Sequence, residues 1–448
     1  MKTVKIANGQ GFWGDSIKAP IDLIKYGDID YLTLDYLAEI TLSIMQKQKM
    51  KNPLYGYALD FIDLIKRSSN EIIKNNIKII TNAGGVNPLE CSKEIKNIFL
   101  KNNFNYKIGI IQGDDILSKI DSIIKEGADL SNMDTGEPIS LIKDNICSAN
   151  VYIDSFTIKE ALDKGADMVL AGRVTDPGLT VGPLLHEFNW KQNQYNKIAS
   201  GTLAGHIIEC GSQCTGGNFT KWYEVEDLYN IGYPIVEVSE NGNFMITKPD
   251  NSGGKIDRLT VSEQILYEMG NPKKYISPDV CVDFTSFDLN DKGNDIVSIN
   301  NVKGSKPTDT YKVSISYFAG YKASGQLTIS GPNALEKAKK TAEVIWKRLK
   351  LDGFTYTEKN TEYLGFNSCH KTINNTYNDS NEIVLRLTVK DNDKDKVSRF
   401  GKEISPVITS GPPGITGFSG GRPKPQEVIA YWPALLPKEL INTKVSII

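Results

Sequence analysis

Residues 77–88 read IKIITNAGGVNP. Ile77–Thr81 is a short, mostly apolar run of strand length, and Asn82–Asn87 is a turn rich in Asn and Gly. Asn87 can cap a helix and Pro88 can open one, because proline's fixed φ and missing N–H are tolerated in a first helical turn. Strand, polar turn and helix in that order make the repeating unit of an α/β fold.

The same pattern recurs on both sides. Val4–Ala7 leads through Asn8-Gly9-Gln10-Gly11-Phe12-Trp13-Gly14-Asp15 to a helix at Ala19–Tyr26. Tyr31–Leu34 ends on Asp35, before a helix from about Tyr36 to Lys49. Lys107–Ile111 leads through Gln112-Gly113-Asp114 to another helix, and Ile146–Ile153 and Met168–Ala171 flank a helix at Thr157–Lys164. The fold class expected is α/β. A mostly parallel, doubly wound sheet fills an N-terminal domain, 1–232, with a barrel as the alternative closure.

From Tyr233 the texture changes to a smaller α+β domain, 233–448. Val261–Met269 reads as a helix, and Asp279–Phe287, Asp295–Asn300, Thr310–Tyr317 and Ala323–Ile329 alternate like antiparallel strands. Asn333–Lys350 is a long amphipathic helix. A strand–helix–strand unit follows at Ile383–Val389, Asp393–Glu403 and Ile404–Ser410, and then the glycine-rich loop Gly411–Arg422.

The chain has 448 residues, 40% hydrophobic and 24% charged, which is globular composition. Lys plus Arg number 52 and Asp plus Glu 54, a net charge of −2, so no electrostatic footprint for nucleic acid or an anionic membrane exists. Six cysteines are too scattered for a disulfide framework, and no apolar run has membrane-spanning length. The expected compartment is the cytoplasm.

Polar residues stand just past the strands: Asn8, Asp35, Asn82, Asp114, Asp154 and Arg173. The carboxyl ends of parallel strands form the ligand-binding edge, so these loops should converge on one pocket. A second cluster lies in Gly201–Trp222, GTLAGHIIECGSQCTGGNFTKW. There His206, Glu209 and Cys210 fall at i, i+3 and i+4 of one helical face, ahead of the turn Gly216-Gly217-Asn218. Two rival readings attach to these residues. Gly9, Gly11 and Gly14 fit a dinucleotide glycine loop with Asp35 as its acidic partner, although Phe12 and Trp13 crowd it. His206, Cys210 and Cys214 fit an H-x3-C-x3-C zinc spacing, but no second ligand pair follows, so neither metal nor cofactor is expected.

Several long phrases, ANGQGFWGDS, DYLTLDYLAEITLSIM, TNAGGVNP, AGRVTDPGLTVGPLLHEF, the Gly201–Trp222 stretch and SGPPGITGFSGGRPKPQEVIAYWPALLP, resemble the acyclic terpene utilization protein AtuA family. The resemblance runs from the first strand to the last. It implies catabolism of acyclic terpenes and other branched acids, with coenzyme A thioesters as intermediates. Longer members carry an extra small C-terminal domain, which implies that a small partner subunit replaces it here or that it is dispensable, and a homo- or hetero-oligomer is expected.

The expected activity is that of a hydro-lyase on a small unsaturated or hydroxylated carboxylic acid or its acyl-CoA thioester. Glu209 would be the base, His206 the proton donor, and Cys210 a second acid–base group or part of the wall. Substrate contacts would come from Asn8, Gly9, Asp35, Asn82, Gly84, Gly85, Arg173, Asp176, Gly216, Gly217, Asn218 and Arg422, with Arg173 or Arg422 on a carboxylate. The alternatives are an NAD(P)-dependent oxidoreductase and a non-catalytic binding or scaffold subunit.

Overall fold

In the computed structural model, which describes residues 2–370, 380–417 and 420–448, the first half of the chain alternates as its sequence suggests. The order is β1 (Thr3–Asn8), α1 (Lys18–Tyr26), β2 (Tyr31–Leu34), α2 (Thr41–Lys51), α3 (Leu59–Lys74), β3 (Lys78–Thr81), α4 (Pro88–Lys101) and β4 (Ile108–Gln112). It continues with α5 (Ile120–Lys125), β5 (Ile146–Val151), α6 (Phe156–Asp163), β6 (Met168–Leu170), α7 (Gly178–Glu187), α8 (Tyr195–Glu209), β7 (Ile235–Ser239) and β8 (Phe244–Thr247). Pro88 does open α4.

Ten strands make the main sheet, and it is mixed. From one edge the order is Asp288–Gly293, Ile296–Asn300, β8, β7, β1, β2, β3, β6, β4 and Lys444–Ile447. Only the centre is parallel: β1 with β2, β2 with β3, β3 with β6 and β6 with β4. Every outer pairing is antiparallel, including β1 with β7 and β4 with Lys444–Ile447. The expectation of a mostly parallel, doubly wound sheet or barrel followed by a separate α+β domain is therefore corrected. Strands from beyond residue 233 add to both edges of the parallel core. β7 and β8 join through Glu240-Asn241-Gly242-Asn243, an Asn-Gly hairpin signal that ends the parallel pattern. β3 and β4 are separated in the sheet by β6.

The chain divides into two compact units, one comprising 1–316 with 431–448 and the other 317–430. In the first, one face of the parallel strands packs against α1, α3 and α4 through residues such as Leu32, Ile79, Phe61 and Phe99. Each such side chain contributes about 1.5–3 kcal/mol by leaving water. In the second, Tyr321–Ser330 pairs antiparallel with Glu382–Asp391, which pairs antiparallel with Glu358–Leu364. The helices Ala334–Leu351 and Lys394–Glu403 share its apolar core through Leu335, Ile345, Leu385 and Phe400. Among the described residues, no helix is long and apolar enough to cross a membrane.

Candidate active site

Helix α8 delivers the central carboxylate. Its residues Ile198–Ile208 are all buried, so it is apolar all round rather than amphipathic. Small residues let it approach its neighbour: a Cβ on Gly205 would lie 2.7 Å from the Pro177 carbonyl oxygen, just before α7. The helix stops at Glu209, and Gly211 follows with φ of +60°. Its last carbonyls would be orphaned in a dry interior. Asn8, at the end of β1, resolves this by donating its Nδ2 protons to the Ile208 and Glu209 carbonyls, both at 2.8 Å.

Glu209 emerges at the wall of a cleft of about 390 Å³. Loops after three parallel strands also line it. The β1 loop brings Gly11, Phe12 and Asp15, the β2 loop Asp35, Leu37, Ala38 and Glu39, and the β6 loop Arg173 and Asp176. Cys210, Ser212, Gln213, Gly217, Asn218, Tyr267 and Glu268 complete it. The loops after β1, β2 and β6 thus meet at the cleft, whereas the β3 and β4 loops act from behind. Asn82 of the β3 turn donates to Asp35 Oδ1 at 2.6 Å and accepts from the Tyr36 amide at 2.7 Å. Asp114 of the β4 loop accepts from the Arg173 amide at 2.7 Å.

Burial dominates the electrostatics. It pushes Glu209 up to about 7, against the pull of His206. Burial, then the Asp176 carboxylate, pushes Asp35 up to about 7 despite Arg173 and Asn82. Asp176 is raised by burial too, with Arg173 and Lys312 opposing. Burial, then the charge of Glu209, pushes the Cys210 thiol up, so it stays protonated. The Arg173 guanidinium, 2% exposed, pairs with Asp176 at 2.7 Å and donates to the Leu37 carbonyl at 2.7 Å.

His206 does not line the cleft. It lies behind Glu209, with Nδ1 3.2 Å from Oε1 but off hydrogen-bond geometry, edge-on to the stacked rings of Tyr275 and Phe284. Its Nε2 is 3.3 Å from the Ile265 carbonyl oxygen, which calls for a proton on Nε2 and leaves Nδ1 facing the carboxylate. Burial lowers the imidazole, but Glu209 outweighs it and the net shift is upward. The two groups therefore titrate as a unit.

A family model described as acyclic terpene utilisation family protein AtuA matches residues 4–447. The chain belongs to this family. The resemblance carried by the sequence phrases is confirmed over nearly the whole chain, and AtuA membership associates the protein with acyclic terpene utilisation, a catabolic process. The chain has no significant match among the curated proteins or among the solved structures.

Of the expected site residues, this AtuA chain brings Asp35, Arg173, Asp176, Glu209, Cys210, Gly217 and Asn218 to one cleft. Asn8 and Asn82 brace it, as above. Gly9 is packing: a Cβ there would sit 2.9 Å from Pro20. Gly84 and Gly85 likewise abut Ala171, Pro88, Met45 and Gly56. The N–H groups of Gly216 and Gly217 already donate to Gln213 and Ser212 carbonyls, so they do not supply free donors for a substrate oxygen. Arg422 belongs to the second unit and is exposed, and residues 418–419 of its loop lie outside the described ones.

The glycine loop after β1 is occupied by the protein itself. The Gly11 amide donates to Asp15 Oδ2 at 2.9 Å, and a Cβ on Gly11 would meet the Cys210 backbone at 2.9 Å. A carboxylate thus takes the amide that a pyrophosphate would need. Cys214 is buried with its thiol toward the Gly211 carbonyl, and among the described residues no three His, Cys, Asp or Glu side chains gather to hold a metal ion. Sequence reasoning missed Glu39, Tyr267 and Glu268, which have no spacing signature, and Tyr152, whose ring lies 3.9 Å from the Arg173 guanidinium carbon.

Proposed function

We propose that the chain is a hydro-lyase that adds water to, or removes it from, a small unsaturated or hydroxylated acyl compound. The observation that carries this reading is a pair of cleft carboxyls, Glu209 and Asp35, each held near neutral pH. Near neutrality one carboxyl can be ionised while the other keeps its proton, which is what stepwise proton traffic at a carbon and an oxygen requires.

In the dehydrating direction, the Glu209 carboxylate takes the proton from the carbon next to the acyl carbonyl. The C–O bond at the neighbouring carbon then breaks, and the hydroxyl leaves as water with the proton from Asp35. Glu209 ends protonated and Asp35 ionised, and hydration runs the same steps backward. Glu209 lines the cleft, and its Oε2 is a buried acceptor with no hydrogen-bond partner in the protein, which supports a role toward the substrate. His206 acts through Glu209 as a positioning residue rather than as the proton donor. The cleft also carries Asp15, Glu39, Asp176 and Glu268, and Arg173 is already paired. That balance favours a neutral acyl segment, such as a thioester, over a free carboxylate at the reacting end.

The test is turnover of a panel of enoyl and 3-hydroxyacyl thioesters, read by mass spectrometry as gain or loss of one water. Glu209→Gln keeps the shape and removes the base, so turnover should fall by roughly 10²-fold or more. Cys210→Ser should change it little. An active Glu209→Gln variant beside an inactive Cys210→Ser variant would move the chemistry to the thiol.

A further inference from the structure

A hydro-lyase working through a carbanion-like transition state needs donors for the acyl oxygen, and the glycine turn at Gly216–Gly217 has none to spare. Behind the cleft wall stands a group with the opposite surplus. The Arg173 guanidinium, whose edge lines the cleft, leaves its Nε without an acceptor. Tyr152 lies flat against it, 6% exposed, and its hydroxyl is close enough to Arg173 and to Tyr431 to interact with both without making a well-formed hydrogen bond to either. The Tyr431 hydroxyl, in the segment that returns to the first unit, faces that of Tyr152 and likewise lacks a well-formed hydrogen bond. Lys312 sits with its ammonium 4.9 Å from the Tyr152 ring centre and 5.8 Å from that of Tyr431.

An unpartnered buried donor costs roughly 1–3 kcal/mol. Arg173, Tyr152 and Tyr431 form one loosely bonded cluster of donors, part of whose cost a ligand oxygen would relieve. The charges nearby nearly cancel, with Arg173 and Lys312 facing Asp176 and Glu39. Such a place suits a neutral carbonyl that gains negative charge during reaction rather than a permanent anion. Burial keeps both phenols protonated, hence donors, and the cation over their rings strengthens their O–H polarity.

We infer that Arg173, Tyr152 and Tyr431, with Lys312 stacked behind, form the subsite that receives the acyl carbonyl oxygen of a thioester substrate. The inference rests on the proposed hydro-lyase reading and names the partner of its chemistry. Both hydroxyls are closed to solvent and stand behind Arg173 instead of lining the cleft, so the inference requires their side chains to turn toward the entering oxygen.

The experiment uses the full chain and the N-acetylcysteamine thioester of but-2-enoic acid as probe. Its conjugated absorption moves to longer wavelength when the carbonyl is polarised. In the Glu209→Gln form, which holds the thioester without turning it over, we expect a red shift on binding. We expect it to shrink by at least half in Glu209→Gln combined with Tyr152→Phe and Tyr431→Phe. In the chain with Glu209 intact, Tyr431→Phe should lower kcat about 10-fold with KM within 2-fold, since the bond strengthens in the transition state. An unchanged red shift in the double phenylalanine form, or no shift at all on adding the probe, overturns the inference. A shift that depends on the tyrosines while Glu209→Gln retains full turnover keeps the subsite and removes Glu209 as the base, so the two failures are distinguishable.

Discussion

At the scale of single residues, the cleft is set by what surrounds its carboxyls. Glu209 and Asp35 reach about 7 mainly because they are buried, and His206 and Arg173 only moderate this. If both act, activity should follow a bell-shaped pH profile with both limbs close to neutrality, and Asp35→Asn should remove the limb that reports the proton donor. A profile flat from pH 5 to 9 would count against the pair. The stripe of His206, Glu209 and Cys210 was legible because three chemical residues at helical spacing stand out in an otherwise apolar run. The division of labour among them was not. His206 falls behind Glu209 against the stacked rings of Tyr275 and Phe284, and those residues come from a distant part of the chain.

Among elements, α8 and the strand ends fix the geometry. Asn8 reads as an edge residue from sequence, but its partners lie 200 positions away, so its service as a cap for α8 could not be read there. Asn8→Ala should cost about 1–3 kcal/mol, the price of two buried carbonyls left unpaired, and lower Tm accordingly. Turnover should fall as well, because the freed turn carries Glu209. Gly205→Ala would press a methyl onto the Pro177 backbone at the α7–α8 contact and should cost about 1–3 kcal/mol. Gly201→Ala meets only the Leu184 and Val181 side chains and the Trp190 ring, at 3.1 Å or more, and should be milder. Thermal melts of the three variants would check the ranking, and equal losses for both glycines would contradict the close-approach argument.

For the whole molecule, the parallel core was legible and the sheet's edges were not. Short apolar strands followed by polar turns identify βα units one by one. Which later strands add to the outside depends on pairings such as Val4 with Val238 and Ile111 with Val445, which no local pattern encodes. The same buried carboxyls give the fold a pH signature. Glu209, Asp35 and Asp279 titrate near 7 in the folded chain, whereas unfolded carboxyls titrate near about 4. Between those values the folded state holds protons that the unfolded state has released. Their contribution to stability is therefore fully present below about pH 4 and lost as pH rises through 7. Tm should fall from pH 5 to pH 8, less so in Asp279→Asn, whose carboxyl is held by Ser155 away from the cleft. A melting temperature that rises over that range would show the carboxyls to be less perturbed than their burial implies.

The central claim, that Glu209 moves a proton at the carbon beside an acyl carbonyl, is tested most directly by isotope exchange. A panel of short 3-hydroxyacyl and enoyl thioesters would be incubated with the chain in deuterated water and followed by mass spectrometry. The account predicts deuterium at the carbon next to the carbonyl with the unaltered chain, and a rate at least about 10²-fold lower with Glu209→Gln. Exchange that proceeds undiminished in Glu209→Gln, or no exchange above the uncatalysed rate with any thioester, would contradict it.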